Sequence, residues 1–195
     1  FRIVQALGRY GESELAEVVE RASRRMGVPA TAEAALEIAR RSRGTPRSAV
    51  SLLEWARDVA QVRSLDAPSE LESPASIAAD LRIHVADVVR AAELRGIDAH
   101  GLDVAEETVV RFLLRQGKPV GLEALASRLW LDLETLREIH EPVLEREGLV
   151  ERTERGRVAT QKARLWYGEA ARVDPGGSSG PNGAGQNGTA RHALE

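Results

Sequence analysis

Three arginines near the carboxyl end of the chain could bind phosphate. Arg152, Arg155 and Arg157 stand around Gly156 in the run LVERTERGRVAT. The alternating pattern over 149–160 predicts two short strands, with the turn at the second arginine and the glycine. A guanidinium group suits phosphate because its fork of N–H donors matches two oxygens at once, and such contacts do not read base sequence. A solvated hairpin can also carry arginines for solubility alone.

A fourth arginine lies where an anion could bind. Thr45 suits a helix N-cap and Pro46 the first helical position, which puts Arg47 in the first turn. A cation there opposes the helix dipole unless an anion occupies the site, where backbone N–H groups and the guanidinium together form a phosphate receptor. On local features alone, an arginine in a first turn more often points into solvent.

The elements around the basic hairpin are predicted to be helices. Apolar residues repeat at helical spacing from Leu122 to Leu129, and Asp132 can cap a further helix that Gly148 closes. Pro142 should kink or interrupt that helix. Two helices followed by a basic hairpin are typical of a winged-helix DNA-binding domain.

The first half of the chain predicts a small helical module. Helices are expected from about Ser13, after Thr31 and after Thr45, with Gly27 and Gly44 closing the first two. Helical spacing returns over 77–81, 85–94 and 103–116. The third helix should bury one apolar stripe: Ala49, Leu52, Leu53, Ala56 and Ala60. The proline-containing acidic stretch 66–76 predicts an exposed loop, and the Gly/Ser/Asn-rich segment 173–195 predicts a disordered tail.

The composition limits the possible classes of function. The 195 residues are 43% hydrophobic but only 4% aromatic, which favours small helical domains. The net charge of −3 gives no support to nucleic-acid binding, so a DNA site must come from local clustering. No apolar run is long enough to span a membrane, and no secretory signal appears. There is no cysteine, and no metal site is predicted because the histidines lack ligand spacing: His84, His100, His140 and His192.

Several blocks of the chain, in the same order, resemble the RuvB family of AAA+ ATPases. The blocks are GTPR (44–47), GLD (101–103), PVGLEALA (119–126) and EPVLEREGLVERTERGRVAT (141–160). RuvB proteins are hexameric motors that drive branch migration of Holliday junctions. The resemblance, over about residues 1–167, implies a mainly α fold. An AAA+ small helical lid domain over 1–98 would precede a winged-helix domain with a short β-hairpin wing over 99–172, and a tail over 173–195.

The resemblance also implies site residues. Arg47 would be the second sensor, which reaches the phosphates of ATP, and Tyr10 would line the same nucleotide site, although a core aromatic is an equal alternative for that tyrosine. Arg152 and Arg157, the outer arginines of the hairpin, would contact DNA, with Arg155 as an auxiliary. No catalytic residue is implied in this segment. Glu154 departs from the family pattern, which usually has proline there, as do Glu106 and Glu107, which replace an Asp-Arg pair.

The implied cofactor is ATP with Mg²⁺, and the implied partners are double-stranded DNA or a Holliday junction, further copies in a homohexamer, RuvA and RuvC, in the bacterial cytoplasm. No phosphate-binding loop of the form GxxxxGK[ST] occurs in the sequence, so the chain alone should not hydrolyse ATP. Phe1, in place of Met, suggests a piece of a longer protein. The alternative is a non-enzymatic winged-helix DNA-binding or interaction protein that keeps an inherited lid. The reading frame upstream of Phe1 would distinguish the two.

Overall fold

The computed structural model describes residues 8–65 and 81–168. The loop expected at 66–76, most of the helical spacing expected over 77–81 and the disordered tail expected at 173–195 therefore lie outside the described residues. Within the described ranges, no helix is both long enough and apolar enough to cross a membrane.

Four helices of the first half share one hydrophobic core. They are α1 (Glu12–Arg25), α2 (Ala32–Arg41), α3 (Pro46–Leu65) and α4 (Val85–Leu94). The Thr31 hydroxyl caps α2 by accepting the N–H of Ala34, and the five apolar side chains predicted for α3 are all buried. Helix α1 starts slightly before the expected Ser13, because the Glu14 carboxylate accepts the N–H of Gly11 and moves the cap to that glycine.

The second half has its own core, built first from α5 (Val104–Gln116) and α6 (Leu122–Leu129). Asp103 caps α5 by accepting the N–H of Glu106. These bounds agree with the predicted helices. The buried residues thus form two separate cores. The domain boundary predicted between residues 98 and 99 stays a prediction.

The helix that follows is composite. Its parts are α7 (Leu133–Thr135), a π-helical segment (Leu136–His140) and α8 (Glu141–Arg146). The expected cap is present, since the carboxylate of Asp132 accepts the N–H of Thr135. The interruption expected at Pro142 is also present. Proline lacks an N–H and its ring crowds the preceding turn, and a wider π-turn relieves that crowding.

The predicted hairpin consists of β1 (Val150–Thr153) and β2 (Gly156–Ala159), which pair antiparallel with Arg152 opposite Arg157. The predicted turn was wrong by one residue, because it falls at 154–155 and Gly156 already belongs to β2. Val120 and Arg157 exchange both backbone hydrogen bonds, at 3.0 and 2.8 Å. Gly156 has φ +129°, and a Cβ there would lie 2.5 Å from the carbonyl oxygen of Val120, so this register requires glycine.

A final short helix, α9 (Gln161–Tyr167), was not predicted. Thr160 caps it by accepting the N–H of Ala163, and Ala163 and Tyr167 are buried in the second core. The Tyr167 hydroxyl donates to Asp98 at 2.5 Å, and burial, aided by that carboxylate, raises the pKa of the phenol. The described ranges thus form a mainly α structure with one two-stranded sheet, which confirms the predicted fold class.

Candidate nucleic-acid interface

The two outer arginines of the hairpin share one buried carboxylate. Glu141 begins α8, and its side chain is only 3% exposed. Arg157 donates to it through two atoms, from Nε to Oε1 at 2.6 Å and from Nη2 to Oε2 at 3.0 Å. Arg152, opposite on the neighbouring strand, donates from Nε to Oε1 at 3.1 Å. The structure therefore brings together the residues predicted to contact DNA, and adds an acidic partner that the sequence did not indicate.

The three arginines of the hairpin differ in their access to solvent. The Arg157 side chain is 17% exposed, whereas that of Arg152 is 54% exposed. The Nε atom of Arg152 also lies 3.2 Å from Oε1 of Glu145. Arg155 lies in the turn, is exposed, and forms no ion pair within the described part of the chain. Arg152 and Arg155 are thus the cations that a phosphate can approach most directly.

The charge of Glu141 is maintained by its two partners. Burial by itself would raise the pKa of this carboxyl group, but the hydrogen bonds from Arg157 and Arg152 outweigh that effect and hold the pKa below its ordinary value. The carboxylate is consequently ionised at neutral pH, and both arginines have a charged partner in the folded chain.

Arg47 lies in the first turn of α3, as predicted, and is exposed. It lines a cavity of about 860 Å³ between the two halves of the chain, together with residues that include Arg41, Arg43 and Arg95. Unlike those three, Arg47 has no ion pair or hydrogen-bonded partner among the described residues. Its guanidinium group and the N-terminus of α3 are therefore both available to an anion.

Tyr10 is 49% exposed, which contradicts the alternative that it is a core aromatic. Its backbone N–H donates to the carbonyl oxygen of Gly44 at 3.3 Å, which attaches the segment before α1 to the GTPR loop. Tyr10 does not line the cavity beside Arg47. The structure thus places Tyr10 next to the loop that carries the arginine, without bringing the two side chains into one described pocket.

Two further arginines, one at the end of α2 and one in the loop after it, were missed by sequence reasoning and bind residues far along the chain. Arg43 donates from Nη1 to Oε2 of Glu106 at 2.9 Å, and Arg41 donates from Nη1 to the carbonyl oxygen of Asp98 at 3.0 Å. Gly101, with φ +81°, packs so tightly that a Cβ would overlap the carbonyl oxygen of Arg41. Burial raises the pKa of Glu106, and Arg43 offsets part of that rise. The departure from the family pattern at Glu106 thus has a structural role.

A third connection runs from the segment before α1. Arg9 donates from Nη1 to Oε1 of Glu147, just after α8, at 2.5 Å. The carbonyl oxygen of Glu147 also accepts from Nζ of Lys162 at 2.7 Å. No local pattern indicates such pairs, because the partners in the first one are 138 residues apart.

One cluster has the residue types of a metal site. The candidate ligand atoms of Asp103, Glu106 and His140 lie within 4.8 Å of one another. Nδ1 of His140 is buried without a hydrogen-bond partner, 3.7 Å from Oδ2 of Asp103. However, Arg43 already occupies Oε2 of Glu106, and a guanidinium ion beside the cluster disfavours a second cation. The expectation of no metal site therefore stays a prediction.

Comparison with known proteins identifies both halves. The family model described as the RuvB AAA lid domain matches residues 10–80, and the model described as the RuvB C-terminal winged helix domain matches residues 99–167. The fold and the hairpin thus define an AAA lid followed by a winged helix, in which β1 and β2 are the wing. The chain belongs to the RuvB family and corresponds to its C-terminal part.

Individual relatives agree with that assignment. The Holliday junction branch migration complex subunit RuvB of Anaeromyxobacter sp. strain K is 38% identical over 182 residues, which is 92% of this chain and 48% of the relative. The corresponding Thermotoga petrophila subunit is 39% identical over 165 residues, or 84% of this chain and 45% of the relative. The solved Thermotoga maritima RuvB Holliday junction branch migration motor matches with a TM-score of 0.68 at 35% identity, covering 86% of this chain and 52% of that one. The chain spans about half the length of these relatives.

Proposed function

We propose that this chain is the nucleotide-sensing and DNA-contacting part of an ATP-dependent motor that drives branch migration of Holliday junctions. Arg152 and Arg157, with Arg155, contact the duplex backbone, while Arg47 and Tyr10 face the nucleotide. The wing is the observation that carries this proposal. It presents a cross-strand pair of arginines in a domain whose relatives are, by name, subunits of a branch migration complex.

Backbone contact suits a motor that must move along any sequence. Guanidinium contacts to phosphate position a protein on the duplex but carry no direct base readout. The composite helix before the wing is itself acidic, because the run LDLETLREIHEPVLEREG (131–148) has six acidic residues and two arginines. An acidic helix is poorly suited to enter a groove lined by phosphates, which leaves the wing as the surface of this domain best suited to DNA.

ATP with Mg²⁺ is the cofactor we propose for the complete protein. ATP binding and hydrolysis would supply the energy for movement. In this chain, the Arg47 guanidinium and the N-terminus of α3 would meet phosphate oxygens, and Tyr10 would lie beside the GTPR loop. The contact from Arg43 to Glu106 then gives the sensing loop a direct connection to the winged helix.

The assembly we propose follows the relatives. Further copies of the chain would form a homohexamer around DNA, in contact with RuvA and RuvC. A ring would bring many wings to one duplex, so each wing needs only a few weak phosphate contacts. We therefore expect the isolated chain to bind duplex DNA weakly and with a strong dependence on salt.

A salt titration tests the DNA part of the proposal. Arg152→Ala should weaken binding by a similar factor for duplexes of unrelated sequence, and should reduce the slope of log affinity against log salt by about 0.9, as expected for one lost phosphate contact. The measurement is fluorescence anisotropy with labelled duplexes at several salt concentrations. Arg25→Ala, an equal change of charge on the exposed surface of α1, is the control and should leave the slope unchanged. Identical slopes for wild type and Arg152→Ala would contradict a role of the wing in DNA binding.

A further inference from the structure

The wing depends on a carboxylate for its geometry. The backbone of Arg157 lies opposite Arg152 of β1 and exchanges both of its hydrogen bonds with Val120 on the other side. Its guanidinium group is fixed by two hydrogen bonds to the buried Glu141. The guanidinium group of Arg152 is the accessible part of this arrangement, since that side chain is half exposed and its described contacts use Nε and Nη2 alone.

We propose that Glu141 is a positioning residue for phosphate binding. It holds the Nε and Nη2 edge of Arg152 against the protein, so that the remaining edge of the guanidinium group faces the DNA backbone, while Arg157 fixes Glu141 in place. A free arginine loses the rotamer freedom of its long side chain when it is fully ordered. An arginine already oriented by Glu141 loses less of that freedom when phosphate binds. This inference rests on the proposed function, in which the wing contacts duplex phosphates.

If Glu141 instead opposed phosphate binding, its removal would have the opposite effect on affinity. A carboxylate near the DNA repels phosphate and competes for the same arginines, so if charge alone mattered, its removal would strengthen binding. Glu145, one turn further along α8, is the matched control. It lies 3.2 Å from Nε of Arg152 but has no described contact with Arg157, and it is far more exposed than Glu141.

Glutamine at position 141 keeps the size of the side chain but removes its charge. Its single carbonyl oxygen cannot replace the paired bonds that the carboxylate accepts from Arg157 and Arg152, and its amide group is a donor facing two other donors. We expect Glu141→Gln to weaken duplex binding roughly three- to tenfold, the range for freeing one long side chain. Glu145→Gln should leave affinity unchanged or increase it.

The experiment measures duplex affinity of the full chain by anisotropy for wild type, Glu141→Gln, Glu145→Gln, Arg152→Ala and the double variant E141Q/R152A. If Glu141 acts through Arg152, the double variant should bind like Arg152→Ala alone, a result that a general loss of structure would not produce. Affinity of Glu141→Gln equal to or above that of wild type would overturn the inference, as would additive losses in the double variant.

Two controls separate the possible failures. If Arg152→Ala binds like wild type, the wing does not bind DNA and the proposed function fails. If Arg152→Ala is weakened and Glu141→Gln is not, the positioning role alone fails. Should Glu141→Gln lack a cooperative melting transition, Glu141→Asp takes its place. Aspartate keeps the charge but withdraws the carboxylate by one methylene, so the same loss is expected, and wild-type affinity would overturn the inference.

Discussion

At the scale of single residues, two of the buried carboxylates among the described residues anchor the arginines that matter most for the proposed function. Glu141 is paired with two arginines and Glu106 with Arg43. Their pKa values move in opposite directions, because the hydrogen bonds around Glu141 exceed the effect of burial, whereas burial prevails at Glu106. Removal of one partner from such a pair leaves a buried charge unpaired, so these residues should respond more strongly to substitution than exposed ion pairs.

The paired state of Glu141 predicts a pH dependence of stability. Because its pKa is lower in the folded chain than the ordinary 4.5, its stabilising effect is present above that pH and is lost as the pH falls through the lower folded value. Glu141→Gln should therefore be less stable than wild type at pH 7, and the difference should shrink as the pH falls below about 4.5. Urea unfolding of both chains between pH 7 and pH 3 measures this. A difference that stays constant over the whole range would mean that the charge of Glu141 does not stabilise the fold.

At the scale of helices and strands, Trp130 has an unfavourable position. It follows α6 in the left-handed region, at φ 55° and ψ 36°, and is 95% exposed. Packing offsets little of the cost of that conformation, because almost none of the indole is buried. Gly117, which follows α5 at φ 61°, shows the residue type usually found at such a position.

Trp130→Gly should therefore raise the free energy of unfolding by roughly 0.5–1 kcal/mol, since relief of left-handed strain exceeds the added entropy of the unfolded chain. Gly117→Ala is the reciprocal change. Nothing lies within 4 Å of a Cβ at that glycine, so strain alone should cost about 1 kcal/mol. Thermal and urea unfolding of the two variants give both values. A loss of stability in Trp130→Gly would show that the indole makes a stabilising contact.

Elements were predictable where their signals are local. Helical spacing after Thr31 and from about Asp103 was sufficient to locate α2 and α5, and the cap predicted at Asp132 located the start of the composite helix. The turn of the wing was misplaced because its register depends on Val120, far from the hairpin in sequence. Helix α9 was missed because its burial depends on the fold. For example, the hydroxyl of Tyr167 donates to Asp98, 69 residues away.

The candidate site was predictable only where its signals are local in the sequence. The type and spacing of the arginines in the wing indicated phosphate contact, and Thr45 with Pro46 placed Arg47 at a helix start. The partner of the wing, Glu141, lies on a different element, 11 and 16 residues from Arg152 and Arg157. Helical or strand periodicity does not relate residues on different elements, so the shared carboxylate became apparent only once the chain was folded.

At the scale of the whole molecule, the contacts between the lid and the winged-helix side determine how the two halves are joined. Arg9 and Arg43 each reach from the lid side to the winged-helix side, where they pair with Glu147 and Glu106. Burial of the Arg43–Glu106 pair and the close backbone approach at Gly101 make this connection short and stiff. Under the proposed function, such a connection would pass a change at the nucleotide to DNA.

Gly101→Ala tests that connection. The new methyl group would overlap the carbonyl oxygen of Arg41 at a residue that already has positive φ, so the halves must separate or shift. We expect a loss of about 1–3 kcal/mol beyond the strain measured for Gly117→Ala, which has the same kind of backbone but open space. Differential scanning calorimetry should show one transition for Gly117→Ala, and a broadened or divided transition for Gly101→Ala. Equal behaviour of the two variants would mean that the close approach at Gly101 does not hold the halves together.

We propose that the wing is the DNA-contacting surface of this chain, and NMR spectroscopy can observe that surface in solution. A ¹⁵N-labelled chain would be titrated with a short duplex while backbone amides and arginine Nε–H signals are followed by NMR. We predict that the largest changes fall on residues 150–159 and on the Nε–H groups of Arg152 and Arg155, with the lid helices unchanged. Changes confined to α6, α7 or the lid, with the signals of the hairpin unaffected at saturating duplex, would contradict the claim.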